Sequence, residues 1–197
     1  MTNFYVHPSS FVDRGVTIFE DVKIWHFCHI MEEATIGKNC VLGQNVFVGR
    51  GVTIGQNCRI QNNVSVFEGV TLESEVFCGP STVFTNVINP RSEISRKEEF
   101  RSTLVKKGAS IGANATIICG NTIGKYSLIG AGSVVTKDIP DFALVIGTPS
   151  KIVGWVCRCG EKLYFNNSES SKGTIYGICN SCGSQYRKCD DIVEEIR

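Results

Sequence analysis

Two kinds of side chain in this sequence are spaced for chemistry. Cys157 and Cys159 stand in GWVCRCGEKLYF and Cys179 and Cys182 in GICNSCGSQYRKC, a CxCG and a CxxCG separated by nineteen residues. Four thiolates so arranged suit one Zn²⁺ held tetrahedrally, and a closed four-sulfur shell leaves no position for a substrate, so a structural zinc ion is expected. The first pair is one residue shorter than the usual CxxC, and Cys189 is available as a replacement ligand. The histidines are His7, His26 and His29. In IWHFCHI, His26 and His29 flank a corner beside Trp25, which joins an imidazole suited to proton transfer near neutral pH to a ring on which a base or sugar can stack. An aromatic corner packed on a neighbouring subunit is the alternative for both, and His7, before Pro8, is read as structural.

The elements that would position these groups follow a period of six. Val6, Val12, Ile18, Ile24, Ile30, Ile36, Leu42, Val48, Ile54, Ile60, Val66, Leu72, Cys78 and Phe84 form an unbroken apolar series, resumed at Val105, Ile111, Ile117, Ile123, Ile129 and Val135. Neither a helix nor an ordinary strand has that period. A second small or β-branched residue follows four positions later, for example Cys28, Ala34, Cys40, Val46 and Cys58. Glycine follows the apolar residue at Gly37, Gly43, Gly49, Gly55, Gly112, Gly124 and Gly130, where tight corners favour a residue without Cβ. Three hexapeptides make an 18-residue triangular coil, and about six to seven stacked coils are expected, each burying a core that no single coil could bury. Cys78 takes an apolar position and Cys119 is placed within a repeat strand, both as small buried hydrophobes.

The series is broken between Val87 and Leu104, and Phe84 to Val105 spans 21 residues, three more than a coil, so an excursion loop 87–104 leaves the prism. Outward residues 18 apart stack in columns. One holds Glu20, Lys38, Gln56 and Ser74, another Glu32, Arg50, Glu68 and Asn86, and both read as largely solvated. The third holds His26, Gln44, Asn62 and Pro80, with Asn45, Asn63 and Ser81 beside it, and is polar but uncharged. Such an amide strip suits hydrogen bonding to a sugar or a wet subunit interface, or it forms stabilising ladders at the turns. Gln61, Asn62 and Asn63 are read as lying next to the excursion, one coil below it.

The repeat resembles the hexapeptide-repeat acyltransferases over roughly residues 6–137, and the left hand of the expected parallel β-helix comes from that resemblance alone. IWHFCHI, LGQNVFVG, IQNNVSVFEGV, VFCGPSTVFTNVINPRSEI, RSTLVKKGASIGANATIICG, YSLIGAGSVVTKDIP and ALVIGTPSKIVGW are similar to the narrower family of N-acetyltransferases acting on UDP-2-acetamido-3-amino-2,3-dideoxyglucuronate, enzymes of surface-polysaccharide sugar synthesis. The resemblance implies a homotrimer with clefts between prisms, in which a sugar amine attacks the thioester of acetyl-coenzyme A without an acyl-enzyme. An amine needs orientation more than a strong base. Asn86 is the candidate acceptor of a hydrogen bond from that amine, with His26 or a water held there taking the proton. Gln44, Asn62, Asn63, Arg91 and Arg96 are candidates for the nucleotide sugar, the two guanidinium groups suiting a carboxylate or diphosphate; pairing with Glu93 or Glu98 is their alternative. Coenzyme A is placed at Gly130, Ala131, Thr148 and Lys151, in and before GTPSK.

Composition narrows the rest. The 197 residues are 42% hydrophobic and 20% charged with a formal net charge of +1, which leaves no basic stripe for nucleic acid. Without a signal-like or membrane-spanning apolar run, a cytoplasmic protein with no membrane insertion is expected. The domain reading is a β-helix over 1–137, a linker and coenzyme-proximal segment over 138–156, and a zinc-ribbon-like tail over 157–197 with a hairpin or loop at NNSESSKG. Rival readings are a γ-type carbonic anhydrase, disfavoured because no histidine follows His29, a non-enzymatic trimeric scaffold, and acetyltransfer to another aminosugar, an amino acid or a sugar hydroxyl.

Overall fold

The computed structural model describes residues 3–171 and 173–196. The hexapeptides fold as a parallel β-solenoid of short strands on three faces. Face A runs from Tyr5–Val6 through Lys23–Ile24, Val41–Leu42, Arg59–Ile60, Phe77–Cys78, Ser110–Ile111 and Leu128–Ile129 to Ala143–Ile146. Face B runs from Phe11–Val12 and His29–Ile30 to Val134–Val135, and face C from Thr17–Ile18 to Thr122–Ile123. The register is the sequence period, with Ile24 opposite Leu42 and Leu42 opposite Ile60. In each two-residue strand one side chain points in and one out. Ile24, Ile30, Ile36, Leu42, Val48 and Ile54 are accordingly fully buried, and Cys28, Ala34, Cys40, Val46 and Cys58 fill the second inward position. The thiols of Cys28, Cys40 and Cys58 donate to the carbonyls of Gly43, Gly55 and Glu73 at 3.0, 2.9 and 3.1 Å. Burial pushes the Cys78 thiol up to about 12, so it stays protonated.

The glycines after the apolar position serve the stacking of coils. A Cβ on Gly37 would lie 2.6 Å from the backbone of Gly55, and one on Gly55 would lie 2.6 Å from Glu73 and Ser74. The left-handed corner conformation falls two residues later, at Asn39, Asn45, Asn57 and Asn63, with φ between 59° and 61°, where asparagine is tolerated.

The excursion differs from its expected arithmetic. Phe84 lies on face B and Val105 on face C, the next face, so 21 residues replace an ordinary step of six within a single hexapeptide. The coils on either side still stack, Leu72 on Val105, Cys78 on Ile111 and Phe84 on Ile117. Within the excursion are a 3₁₀ turn at Lys97–Glu99 and a bridge between Arg91 and Ile94. Arg101 N–H donates to the Asn86 carbonyl at 2.9 Å and closes its base. Cys119 lies in the turn after Thr116–Ile117 rather than in a strand, buried, with its N–H donating to Thr85 Oγ1 at 2.9 Å.

Residues 138–156, expected as a linker, extend the prism. Ile139 bridges to Ile123, and Ala143–Ile146 adds an eighth parallel strand to face A, one coil beyond the estimate that stopped at Val135. Lys151–Val156 then turns back antiparallel. Beyond it, Phe165–Ser171, Thr174–Ile178, Gln185–Cys189 and Ile192–Glu195 form a four-stranded antiparallel sheet. Most of NNSESSKG is therefore in a strand; Lys172 lies outside the described residues. The core is continuous from prism to tail. The Phe142 ring stacks on Tyr126 at 5.5 Å and meets the edge of Tyr186 at 5.4 Å, with Trp155, Leu163 and Val193 in the same cluster. Among the described residues, no helix is long and apolar enough to cross a membrane.

Candidate active site

The outward columns lie at the corners of the prism, in the turns between faces. The corner between faces A and B carries His26, Gln44, Asn62 and Pro80, continued by Ala113 and Ala131. There the His26 ring stacks on His7 at 3.5 Å, while Trp25 meets Tyr5 edge-on at 5.8 Å. His7 was legible only as a residue before proline. Its contact with His26 joins successive coils, which no local motif marks. Desolvation, and then the neighbouring His26, hold His7 below the usual histidine value, which favours its neutral form. His29 is on face B with Nε2 3.2 Å from Asp13 Oδ1, which engages it away from His26.

The amide strip is partly a ladder. Gln44 N–H donates to Asn62 Oδ1 at 2.9 Å and Asn45 Nδ2 donates to Asn63 Oδ1 at 3.1 Å. Both amide oxygens are used within the prism, and among the described residues the amide nitrogens of Asn62 and Asn63 have no protein partner.

Asn86 is half-buried on a different corner, between faces B and C, at the root of the excursion. The expected neighbourhood of Asn62, Asn63 and the loop is thus corrected. The loop departs one corner further along the chain, because a step of 24 residues from Asn62 to Asn86 is a coil and a third. Below Asn86, Arg50 bridges Glu32 at 3.1 Å and Glu33 at 3.0 Å, which with Glu68 leaves that corner net negative. In the loop, Arg91 donates to the Pro90 carbonyl at 2.9 Å. Arg96 pairs with Glu99 at 2.6 Å, not with Glu93 or Glu98, and its Nε is buried with no protein partner among the described residues.

The residues placed at the coenzyme converge. Gly130 N–H donates to the Val145 carbonyl at 2.8 Å, Val134 N–H to the Gly147 carbonyl at 3.0 Å, and Gly147 N–H to Ser133 Oγ at 3.1 Å. These bonds set exposed Thr148 over the turn that contains Ala131, and the register of Ile146 with Lys151 brings exposed Lys151 to the same end. A cleft of about 620 Å³ lies elsewhere, between face C and the tail, lined in part by Lys106, Lys125, Asp141, Asp191 and Glu194. It contains none of these candidates. In the tail, Sγ of Cys157, Cys159, Cys179 and Cys182 all lie within 4.8 Å of one another, and Cys189 is not among them.

A parallel solenoid of hexapeptides with polar corners defines the class, and the comparisons agree. The model described as bacterial transferase hexapeptide (six repeats) matches residues 15–50, and that described as hexapeptide repeat of succinyl-transferase matches 33–68 and 107–137. The chain is 43% identical over 192 residues, 98% of its own length and 95% of the other's, to the dTDP-3-amino-3,6-dideoxy-alpha-D-galactopyranose 3-N-acetyltransferase of Aneurinibacillus thermoaerophilus. It belongs to the hexapeptide-repeat N-acetyltransferases. A solved hexapeptide-repeat-containing acetyltransferase from Vibrio cholerae O1 biovar eltor, complexed with acetyl coenzyme A, is 27% identical, with 64% of this chain and 72% of that one covered and a TM-score of 0.56. A hexapeptide transferase family protein of Anaplasma phagocytophilum, 19% identical with a TM-score of 0.53 over 78% of this chain and 83% of that one, shares the fold.

Proposed function

We propose that this enzyme transfers an acetyl group from acetyl-coenzyme A to the 3-amine of a nucleotide-linked aminosugar. The carrying observation is the likeness to the Aneurinibacillus enzyme, which runs through both prism and tail. It favours a dTDP-linked 3-amino-3,6-dideoxyhexose over the UDP-linked 3-amino-uronate expected from the sequence motifs, while the 3-amino position is common to both. In this reading the reaction is cytoplasmic.

In this reading the amine attacks the thioester carbon directly and coenzyme A thiolate departs. Asn86 orients the amine, since an amide is no useful base, and because His26 lies three coils below it the proton released as the amide bond forms reaches His26 through water held in the cleft. Arg91 and Arg96 hold the nucleotide diphosphate, and Gln44, Asn62 and Asn63 contact the sugar through amide groups the ladder leaves free. Coenzyme A lies at Gly130, Ala131 and Thr148 with Lys151 at a phosphate. A homotrimer completes the site. Asn86 and His26 occupy two corners of one prism, and a cleft between prisms takes one corner from each subunit. Face B between those corners presents exposed Phe11 and Val83 for such packing.

The test is acetyl-coenzyme A-dependent thiol release across dTDP- and UDP-linked 3-amino and 4-amino sugars. Release with the dTDP-3-amino-6-deoxyhexose is expected. Release with the UDP-3-amino-uronate alone would restore the other acceptor, and silence across the panel without coenzyme binding would refute the reading.

A further inference from the structure

We propose that Cys157, Cys159, Cys179 and Cys182 bind one zinc ion, and that this ion fastens the tail to the end of the prism where the coenzyme lies. The second half rests on the coenzyme placement above; the first does not. Cys157 Sγ is 3.4 Å from Cys182 Sγ, and Cys159 Sγ is 3.6 Å from Cys179 Sγ. Tetrahedral zinc with Zn–S near 2.3 Å requires sulfurs about 3.8 Å apart. The backbone is folded for the same purpose at both pairs. Gly160 N–H donates to the Cys157 carbonyl at 2.8 Å and Gly183 N–H to the Cys179 carbonyl at 2.9 Å, with φ of 94° and 76° at the two glycines. Cys157 N–H reaches Glu161 and Cys179 N–H reaches Ser184, so the CxC turn is the CxxC turn with one residue fewer.

The surroundings also suit thiolates. Tyr186 is fully buried, and its hydroxyl oxygen accepts from Arg158 N–H at 3.1 Å, which leaves its proton for Cys157 Sγ at 3.1 Å. Ser184 Oγ lies 3.3 Å from Cys182 Sγ. Such outer hydrogen bonds orient metal-bound sulfur. Two elements that already meet where Lys188 Nζ lies 5.7 Å over the Trp155 ring are thereby fastened at a second point. Cys157 directly follows the strand Lys151–Val156, which begins at the coenzyme-proximal lysine, whereas Cys179 and Cys182 belong to the turn between Thr174–Ile178 and Gln185–Cys189. The ion would tie that strand to the sheet whose Tyr186 packs on Phe142.

The experiment is elemental analysis of the full-length protein purified with reductant and without added metal. Close to one zinc per chain is expected, retained in Cys189→Ser and lost in Cys157→Ser and Cys182→Ser. To separate metal loss from misfolding, wild-type protein is also exchanged with Co²⁺, which should show the strong visible absorption and thiolate charge-transfer bands of a tetrahedral four-sulfur site. Absence of metal with four freely titratable thiols, or mass spectra showing disulfides among these cysteines, overturns the proposal. Metal-stripped protein should show a several-fold weaker coenzyme affinity that zinc restores. Bound zinc with unchanged affinity overturns only the coupling, and failure of the acetyltransfer assay leaves the metal result standing.

Discussion

Asn86 and His26 flank the same face of one prism from opposite corners and three coils apart, His26 in the turn before His29–Ile30 and Asn86 in the turn after Val83–Phe84. Strands about 4.8 Å apart put roughly 14 Å of height between them, so the two serve one reaction only through water held in a cleft where two subunits meet. Asn86→Ala and His26→Gln, each nearly inactive, should therefore regain part of the activity when coexpressed as mixed trimers, since some interfaces then carry both native residues. Recovery is measured as thiol release at matched protein concentration; none would refute a shared cleft.

Asn86→Ala by itself should lower kcat on the order of 10²-fold, the scale of a lost orientation. The trimer and the affinity for acetyl-coenzyme A should be unaffected. Steady-state kinetics with light scattering decides this, and normal turnover would remove Asn86 from the mechanism.

For His26→Gln a loss of roughly 10²-fold or more in kcat is expected if the imidazole takes the proton. His7→Ala is the control. It removes the stacked ring and leaves the proton acceptor, so a fall equal to that of His26→Gln would assign the pair to packing.

Lys151→Ala should raise KM for acetyl-coenzyme A several-fold and spare kcat, and the difference should shrink at high salt because exposed charges are screened. Equal KM for dephospho- and intact coenzyme A in both proteins would remove the phosphate contact.

Gly55→Ala forces a methyl group toward the backbone of Glu73 and Ser74. An overpacking cost of about 1–3 kcal/mol is expected, seen as a lower midpoint in thermal unfolding. Gly132→Ala, with φ of 69° and open space around it, should lose only the left-handed strain, about 1–2 kcal/mol. Unchanged midpoints in both would contradict the coil contacts.

The solenoid was legible because one residue in six must be apolar wherever coils stack, and the series from Val6 to Phe84 obeys that without a miss. Its last coil was hidden, since Phe142, Ala143 and Val145 are buried outside the hexapeptide phase. The cysteine cluster was legible from spacing because its ligands come in two local turns. Relations across corners were not. Columns read from residues 18 apart give height along the prism, whereas whether the Asn86 turn faces the Asn62 turn depends on which face the chain has reached. The charge partner of Arg96 was missed because the turn at Lys97–Glu99 selects Glu99 over its sequence neighbours.

The excursion after Phe84 also bears on how such an enzyme changes its taste. Its fifteen extra residues enter and leave one corner while the strands above and below keep their registry. Each coil answers only to its neighbours. A lineage can therefore rewrite that segment, in length and in charge, without renegotiating the frame or the coenzyme end that begins two coils away, and acceptor choice becomes a detachable property of an otherwise fixed column.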